Sequence, residues 1–200
     1  MSNNSTKVKD KAIILLDVIK ENLSQLEEKE VEQFIEILKS HKNNKLLIMG
    51  AGRSGLVGRA FAMRLLHLGF NAFVLGDTIV PSIDKDDLVI AISGSGSTKL
   101  IVTAAQAAQQ VGAKIVSLTS YPSSPLAKLS THTVLLRGRI EVSTKDYFAR
   151  QILGLHEPLA PLGTVFEDSA MLLLDSVIAS LMVQLNVEEA EMRRRHANIE

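Results

Sequence analysis

The sequence contains no cysteine, which excludes disulfide bonds and thiolate metal sites and fits a reducing compartment. It has no excess of charge of either sign, because 22 Lys and Arg residues balance 22 Asp and Glu residues. A nucleic-acid-binding protein usually carries a basic excess on one element. The one basic run, Arg193 to Arg195, is typical of a solvated helix end, so we expect no nucleic-acid partner.

The chain also lacks a long apolar run. No uninterrupted stretch approaches the roughly 20 residues that cross a membrane. Residues 1–10 are polar and do not contain the apolar core of a signal peptide. These absences predict a cytoplasmic protein without membrane contact. At 200 residues, 46% of them hydrophobic, the chain is long enough for one domain with a full core, spanning 1–200.

Hydrophobic periodicity predicts the order of elements. N-terminal helices are expected in 1–43, a core of alternating strands and helices in 45–137, and C-terminal helices in 164–200. The predicted strands are 45–49, 72–75, 88–92, 114–118 and 133–136. The predicted helices are 7–23, 30–41, 54–68, 98–111, 125–130 and 164–185. Such alternation predicts an α/β fold with three layers, α/β/α, around a five-stranded parallel sheet.

Two C-terminal segments depart from this alternation. Periodicity is weak from 139 to 163, which predicts a long loop with a helical turn near 145–153. The stretch 170–183 is apolar on nearly all sides of its helix. A helix of this kind is buried on several sides, and we expect it to form a homo-oligomer interface.

The segment Gly50-Ala-Gly-Arg-Ser-Gly55 follows a predicted strand and opens a helix. It matches the dinucleotide-binding pattern G-x-G-x-x-G, and Asp77 follows at about the expected distance. A nicotinamide or flavin enzyme is therefore one interpretation, and a tight turn without a ligand is another. Asp77 is an imperfect ribose ligand, because it follows Gly76 rather than ending a strand directly.

A second loop after a strand is rich in hydroxyl groups and also opens a helix. Its residues are Ser93, Gly94, Ser95, Gly96, Ser97 and Thr98. Backbone N–H groups at a helix N-terminus favour a phosphate, and small hydroxylated side chains add donors without crowding it. A flexible turn capped by Ser97 or Thr98 is the plainer alternative. A phosphosugar domain uses both loops around one pocket, whereas a dinucleotide fold has no use for the second.

Four segments resemble the sugar isomerase (SIS) family, and within it the 6-phospho-3-hexuloisomerase group. They are the segment 50–69, the loop 92–98, the segment Pro161-Leu-Gly-Thr-Val-Phe-Glu167 and the ending Arg195-His-Ala-Asn-Ile-Glu200. The resemblance implies a flavodoxin-like SIS domain, usually a homotetramer, that needs no metal and no organic cofactor. It implies interconversion of D-arabino-3-hexulose 6-phosphate and fructose 6-phosphate, in formaldehyde fixation or pentose synthesis by the ribulose monophosphate pathway.

The resemblance also implies roles for residues. Ser54 and the loop from Ser93 to Thr98 would bind the sugar phosphate, and Glu167 would be the catalytic base. Apart from the resemblance, Arg53 is a candidate substrate-binding residue, because a developing enediolate needs a donor near its oxygens. Ser97 stands where many relatives carry a charged residue, and 139–158 looks longer than the family's usual connection. These departures concern the lining of the pocket and its choice of sugar.

Two of these residues have plainer interpretations. Glu167 follows Thr164 at the spacing of a capping box, with Thr at the N-cap and Glu at N3. His196 lies near the C-terminus, where a frayed tail is the usual state. By resemblance, His196 is instead a candidate acid for ring opening, reaching a neighbouring subunit's pocket. The histidines show no metal-ligand spacing, so we expect no metal.

Three other functions compete with this one. A non-catalytic phosphosugar sensor would use the same loops, but no DNA-binding module is recognisable and Glu167 suits catalysis. An isomerase of aldose–ketose pairs such as arabinose 5-phosphate and ribulose 5-phosphate is the second alternative, because the two loops alone do not distinguish it from a hexulose phosphate isomerase. A nucleotide-dependent oxidoreductase rests on Gly50 to Gly55 and Asp77, and would show a fluorescence change with reduced cofactor.

Overall fold

The sheet and its strand order dominate the architecture. In the computed structural model, which describes residues 7–138 and 163–199, five strands form one parallel sheet in the order β2–β1–β3–β4–β5. The strands are β1 (Lys45–Gly50), β2 (Asn71–Val74), β3 (Leu88–Ile92), β4 (Lys114–Thr119) and β5 (His132–Leu135). This order is that of flavodoxin-like folds. The predicted five-stranded parallel sheet is confirmed.

Helices cover the sheet on both faces. They are α1 (Val8–Ser24), α2 (Glu28–Ser40), α3 (Gly52–His67), α4 (Lys99–Val111), α5 (Pro125–Leu129), α6 (Thr164–Gln184) and α7 (Glu189–Arg195). Leu46 and Ile48 of β1 point into a core with α2, α3 and α6, whereas Leu47 and Met49 point into a core with α4 and α5. Side chains alternate between the faces of a strand, so a strand buried on both sides reads as a continuous apolar run. The predicted α/β/α layering is confirmed.

Helix α6 is covered largely by its own chain. It contacts α1, α2 and α3. Its buried residues are Val165, Phe166, Ser169, Ala170, Leu173, Leu174, Val177, Ile178 and Leu181. Most apolar side chains of this helix are therefore covered within one protomer, although Leu172 and Val183 stay exposed. The expected oligomer interface on α6 stays a prediction.

Two cationic side chains bind the C-terminal end of α3. One comes from α7 and the other follows α2. The carbonyl oxygen of His67 accepts a hydrogen bond from Arg195 Nη1 at 3.1 Å, and that of Leu68 accepts one from Lys42 Nζ. The last carbonyls of a helix have no partner within it and attract cations. Burial, and then the charge of Arg195, lower the pKa of Lys42. The Arg195 bond fixes α7 against the end of α3, and the Lys42 bond joins the segment after α2 to the same end.

A buried carboxylate joins the entry points of two central strands. Asp87 accepts hydrogen bonds from the backbone N–H of Lys45 at 2.9 Å and of Asp84 at 2.8 Å, and pairs with Lys45 Nζ at 3.1 Å. Burial by itself raises the pKa of Asp87, but these hydrogen bonds and the charge of Lys45 outweigh it and hold the pKa below its ordinary value. The carboxylate thus fixes the start of β1 beside β3.

Several predicted boundaries shift by one or two residues. Helix α2 begins at Glu28, two residues before the prediction, and α4 begins at Lys99 with Thr98 as its N-cap. Gly69 and Gly112 follow α3 and α4 in left-handed conformations, as their positions predict. The predicted loop over 139–163 and the helical turn within it lie almost wholly outside the described residues.

Residues 7–138 and 163–199 contain helices of very different length and apolar character. None of these helices alone combines the length and apolar character needed to cross a bilayer. Helices α6 and α7 would meet that requirement only as a pair, by length and composition alone, and they are bent by 113° at their junction.

Candidate active site

The two glycine loops begin side by side at one edge of the sheet. Gly50 at the end of β1 lies in register with Ile92 at the end of β3. After β1 the chain turns into α3 on one face, and after β3 it turns into α4 on the other. A parallel sheet opens a crevice where successive connections leave in opposite directions, and ligands bind there. The fold therefore places 50–55 and 93–98 on the two sides of one crevice.

The first loop is a tight strand-to-helix turn. A Cβ added at Gly50 would lie 2.7 Å from the carbonyl oxygen of Ser54, and one added at Gly55 would lie 2.8 Å from the carbonyl oxygen of Gly50. Both glycines are thus required by backbone packing. Ser54 is buried in the first turn of α3, while the Arg53 side chain is 54% exposed. The G-x-G-x-x-G pattern is accounted for without a dinucleotide.

The second loop is held by backbone hydrogen bonds to its neighbours. The N–H of Ser93 donates to the carbonyl of Leu118, that of Ser120 to Gly94, and that of Leu126 to Gly96, at 2.9–3.0 Å. Gly96 has φ 59°, and its backbone lies directly against Ser124 and Thr119. The loop therefore has one defined shape at the carboxyl ends of β3 and β4.

The hydroxyl groups of this loop cluster before the N-terminus of α4. Ser93 Oγ lies 3.3 Å from Thr98 Oγ1, and Ser95 Oγ accepts from the N–H of Ser97 at 3.3 Å. Thr98 is the N-cap of α4, and its side chain makes no capping hydrogen bond. The Thr98 side chain therefore does not supply the cap that the capped-turn alternative expects of it. A helix N-terminus with these donors can hold a phosphate.

The start of α6 packs against the hydroxyl loop. A Cβ added at Gly94 would lie 3.0 Å from the ring of Phe166, and one at Gly138 would lie 2.8 Å from Phe166 Cβ. Phe166 is 3% exposed. The residues that follow it, Glu167 and Asp168, are thereby placed beside the crevice rather than along the outer surface.

Glu167 and Asp168 both bind Arg53 of the first loop. Arg53 Nε donates to Glu167 Oε2 at 2.5 Å, and Arg53 Nη2 donates to Asp168 Oδ1 at 3.1 Å. The Glu167 side chain is 13% exposed, against 42% for Asp168. The hydrogen bond to Glu167 raises the pKa of Arg53, so the guanidinium is permanently charged. One cation therefore joins the first loop to the first turns of α6.

The capping box predicted for Thr164 and Glu167 is wrong. The N-cap of α6 is Gly163, so Glu167 stands at N4 rather than N3, and its N–H donates to the Gly163 carbonyl at 3.0 Å. The Glu167 carboxylate instead bonds Arg53. Its Oε1 lies 3.3 Å from where a Cβ of Gly163 would stand, so a glycine there leaves room for the carboxylate.

His196 lies at the opposite edge of the sheet in its own chain. Its ring is 4.9 Å, between centroids, from that of His67 in the last turn of α3. Arg53 is in the first turn of that helix, about 21 Å away at 1.5 Å per residue. Both histidines line a groove of about 460 Å³ between α3, α6 and α7, together with Asp175. Within one protomer the structure does not bring His196 to Glu167.

Asp77 does not have the surroundings of a ribose ligand. Its Oδ1 is paired with Arg59 Nη1 of α3 at 2.7 Å, and Gly76 before it has φ 94°. The Asp77 carboxylate is thus already paired within the chain, and the packing of Gly50 and Gly55 accounts for those glycines without a ligand.

Asp168 is the site residue that the sequence analysis missed. It directly follows Glu167 within the family-like segment, and this adjacency was the available signal. Neighbouring residues on a helix point about 100° apart, so a single partner for both was not expected from spacing. A long arginine side chain reaches both carboxylates because it crosses the first turns of α6.

Comparisons with known proteins agree with this geometry. The SIS domain family model matches residues 39–153. An uncharacterized protein of Aeropyrum pernix is 58% identical over 182 residues, which are 90% of this chain and 86% of that protein. The 3-hexulose-6-phosphate isomerase of Methanocaldococcus jannaschii is 39% identical over 158 residues, 79% of this chain and 78% of that enzyme.

A solved structure has the same fold over nearly its whole length. The crystal structure of a hypothetical protein from Methanococcus jannaschii, from which a function of 3-hexulose-6-phosphate isomerase was inferred, is 34% identical. It covers 96% of this chain and 98% of its own, with a TM-score of 0.74. This chain belongs to the SIS domain family. Fold and family place it among the SIS proteins that bind or isomerise sugar phosphates.

Proposed function

We propose that the protein interconverts D-arabino-3-hexulose 6-phosphate and fructose 6-phosphate. The observation that carries this proposal is the largely buried carboxylate of Glu167, held by Arg53 beside a hydroxyl-rich loop at a helix N-terminus. The loop from Ser93 to Thr98 would hold the phosphate, with Ser54 at the edge of the same crevice. Glu167 would act on the carbon atoms of the sugar.

The reaction moves one proton between neighbouring carbons. Glu167 takes the proton from C2 of the 3-ketose, which gives a cis-enediolate. It returns that proton to C3 while the hydroxyl proton passes from O2 to O3, so that the C2 oxygen becomes the new carbonyl. A single carboxylate on one face of the sugar serves both steps. The guanidinium of Arg53 is a fixed positive charge next to Glu167, and it would stabilise the negative oxygen of the enediolate. Neither step requires a metal or an organic cofactor.

The named relatives favour this substrate among sugar phosphates. The Methanocaldococcus jannaschii and Bacillus subtilis proteins called 3-hexulose-6-phosphate isomerase are 39% and 34% identical to this chain. An aldose–ketose isomerase of pentose phosphates is the second candidate, because the loops recognise phosphate rather than the rest of the sugar. A sugar-phosphate sensor without catalysis is the third, and a buried carboxylate in the crevice argues against it.

An isomerase assay tests the proposal directly. Freshly generated 3-hexulose 6-phosphate is supplied in the presence of EDTA, and fructose 6-phosphate is followed through glucose 6-phosphate formation and NADP reduction by coupling enzymes. We expect turnover that does not depend on added metal. Arabinose 5-phosphate serves as the matched substrate, and we expect it to react at least tenfold more slowly. Turnover of arabinose 5-phosphate alone would assign the pentose phosphate reaction to this protein. Turnover of neither substrate would leave the non-catalytic sensor as the remaining candidate function.

We propose a composite site for His196. Because His196 lies on the order of 20 Å from Glu167 in its own chain, it would serve ring opening in the crevice of a neighbouring subunit. The homotetramer expected from the family resemblance would supply that neighbour. Glu167 and His196 of one site then come from different chains.

Subunit mixing distinguishes this arrangement from a single-chain site. We expect His196→Ala to lose on the order of 10² in turnover of fructose 6-phosphate, and Glu167→Gln to be similarly inactive. Mixing equal amounts under conditions of subunit exchange should restore about a quarter of wild-type activity, because random assortment leaves that share of sites intact. Each variant mixed with itself is the control. A mixture that stays inactive after verified exchange would contradict the composite site, as would full activity of His196→Ala alone.

A further inference from the structure

Arg53 is held by two carboxylates through two different nitrogen atoms. Nε donates to Glu167 and Nη2 donates to Asp168. The two carboxylates differ in exposure, since Glu167 is 13% exposed and Asp168 is 42% exposed. Asp168 is thus on the solvent side of the cluster and Glu167 on the side of the crevice interior.

The bond between Arg53 and Glu167 conflicts with the role of a base. The Oε1 atom of Glu167 faces Gly163, and Oε2 accepts from Arg53 Nε at 2.5 Å. A carboxylate that takes a proton from carbon must direct an oxygen at that carbon. For Oε2 to be the oxygen that is directed at the sugar, the hydrogen bond from Nε has to lengthen or break when the sugar phosphate is in place.

Without a second anchor, Arg53 would then leave the crevice. Its side chain is long, 54% exposed and attached to a surface turn, so it has many alternative rotamers in water. Asp168 binds a different nitrogen, Nη2, so its bond does not require the bond between Nε and Glu167. The guanidinium has five N–H donors, and those not used by the two carboxylates stay free for substrate oxygens. This geometry suits an arginine that gives up its hydrogen bond to Glu167 for the substrate and keeps its hydrogen bond to Asp168.

We propose that Asp168 is a positioning residue that retains Arg53 at the crevice while Glu167 exchanges its hydrogen bond with Arg53 for the substrate. The proposal rests on the isomerase function proposed above. It assigns Asp168 no contact with the reacting carbons, so its effect on catalysis passes through Arg53.

Asp168→Asn removes the anchor, and Asp77→Asn is its matched control. Asp77 binds Arg59, which lies in α3 like Arg53, at 2.7 Å, and the Asp77 and Arg59 side chains are 42% and 50% exposed. Each variant therefore loses one exposed Asp–Arg pair and one negative charge. We expect Asp168→Asn to lower kcat about tenfold with KM changed less than about twofold. We expect Asp77→Asn to stay within about twofold of wild type. Equal activities of the two variants would overturn the proposal.

A double-mutant cycle separates positioning from a structural effect. If Asp168 acts through Arg53, Asp168→Asn should cost less than about twofold in kcat in an Arg53→Met background. A loss of the same factor in both backgrounds would show that Asp168 acts independently of Arg53, and would overturn the proposal. Asp168→Glu, which keeps the carboxylate, should recover part of the activity, and thermal unfolding should be the same in all variants.

The order of the Arg53 side chain is measurable without turnover. In the full chain, the Arg53 Nε–Hε signal, assigned by its loss in Arg53→Lys, should show faster solvent exchange in Asp168→Asn than in wild type or Asp77→Asn. An unchanged signal would overturn the proposal even for an active enzyme. The isomerase function fails separately, as an absence of turnover in the wild type.

Discussion

Replacement of Glu167 with Gln is expected to lower kcat for the hexulose phosphate by a factor on the order of 10² or more. Gln keeps the size of the side chain and an oxygen that accepts from Arg53 Nε, so the cluster of Arg53 with α6 can form. It cannot take a proton from C2. Because Glu167 is only 13% exposed and lies next to a fixed cation, water is a poor substitute for it. The coupled assay with EDTA measures the loss directly.

The matched control for this variant is Glu36→Gln. Glu36 is a surface glutamate of α2 that pairs with Lys39 three residues on, and it lies outside the crevice. We expect its kcat to stay within about twofold of wild type, because exposed ion pairs contribute little. Retention of wild-type kcat by Glu167→Gln would remove Glu167 as the base and leave the substrate proposal intact.

Replacement of Gly96 with Ala is expected to disrupt the hydroxyl loop. The added Cβ would lie 2.2 Å from Ser124 Oγ and 2.8 Å from Thr119 Oγ1, and Gly96 also has φ 59°. Ser124 is the N-cap of α5 and accepts from the N–H of Ala127, so moving it breaks that cap. Overpacking together with positive-φ strain should reduce the free energy of unfolding by about 2–4 kcal/mol. The corresponding fall in Tm is roughly 5–15 °C.

Gly76→Ala separates the clash from the strain. Gly76 also has a positive φ, at 94°, but a Cβ added there has nothing within 4 Å. We expect it to cost only about 1–2 kcal/mol and to leave KM unchanged, whereas Gly96→Ala should raise KM for the sugar phosphate at least tenfold. Thermal unfolding and steady-state kinetics measure the two effects. Equal Tm and KM for the two variants would contradict a loop shaped by the contact of Gly96 with Ser124.

The predictable parts of the site are those set by local sequence. The hydroxyl loop was expected at a helix N-terminus after β3, and it lies there because strand, loop and helix are consecutive. Glu167 was expected near it only through the family resemblance. Spacing alone predicted a capping box, which is wrong because α6 takes Gly163 as its N-cap. Whether a helix begins one residue earlier depends on packing as well as on capping preference.

The sequence by itself determined the layers, the parallel sheet and the position of the hydroxyl-rich loop 93–98 at a helix N-terminus, because hydrophobic period and loop composition are properties of neighbouring residues. Only the tertiary structure decided which distant side chains meet. Arg53 joins Glu167 and Asp168, which lie 114 and 115 residues further along the chain. His196 packs against His67 at the opposite edge of the sheet, with the two rings tilted by 41°. Such contacts depend on the direction of each side chain and on how α3, α6 and α7 pack, and neither is encoded in residue spacing.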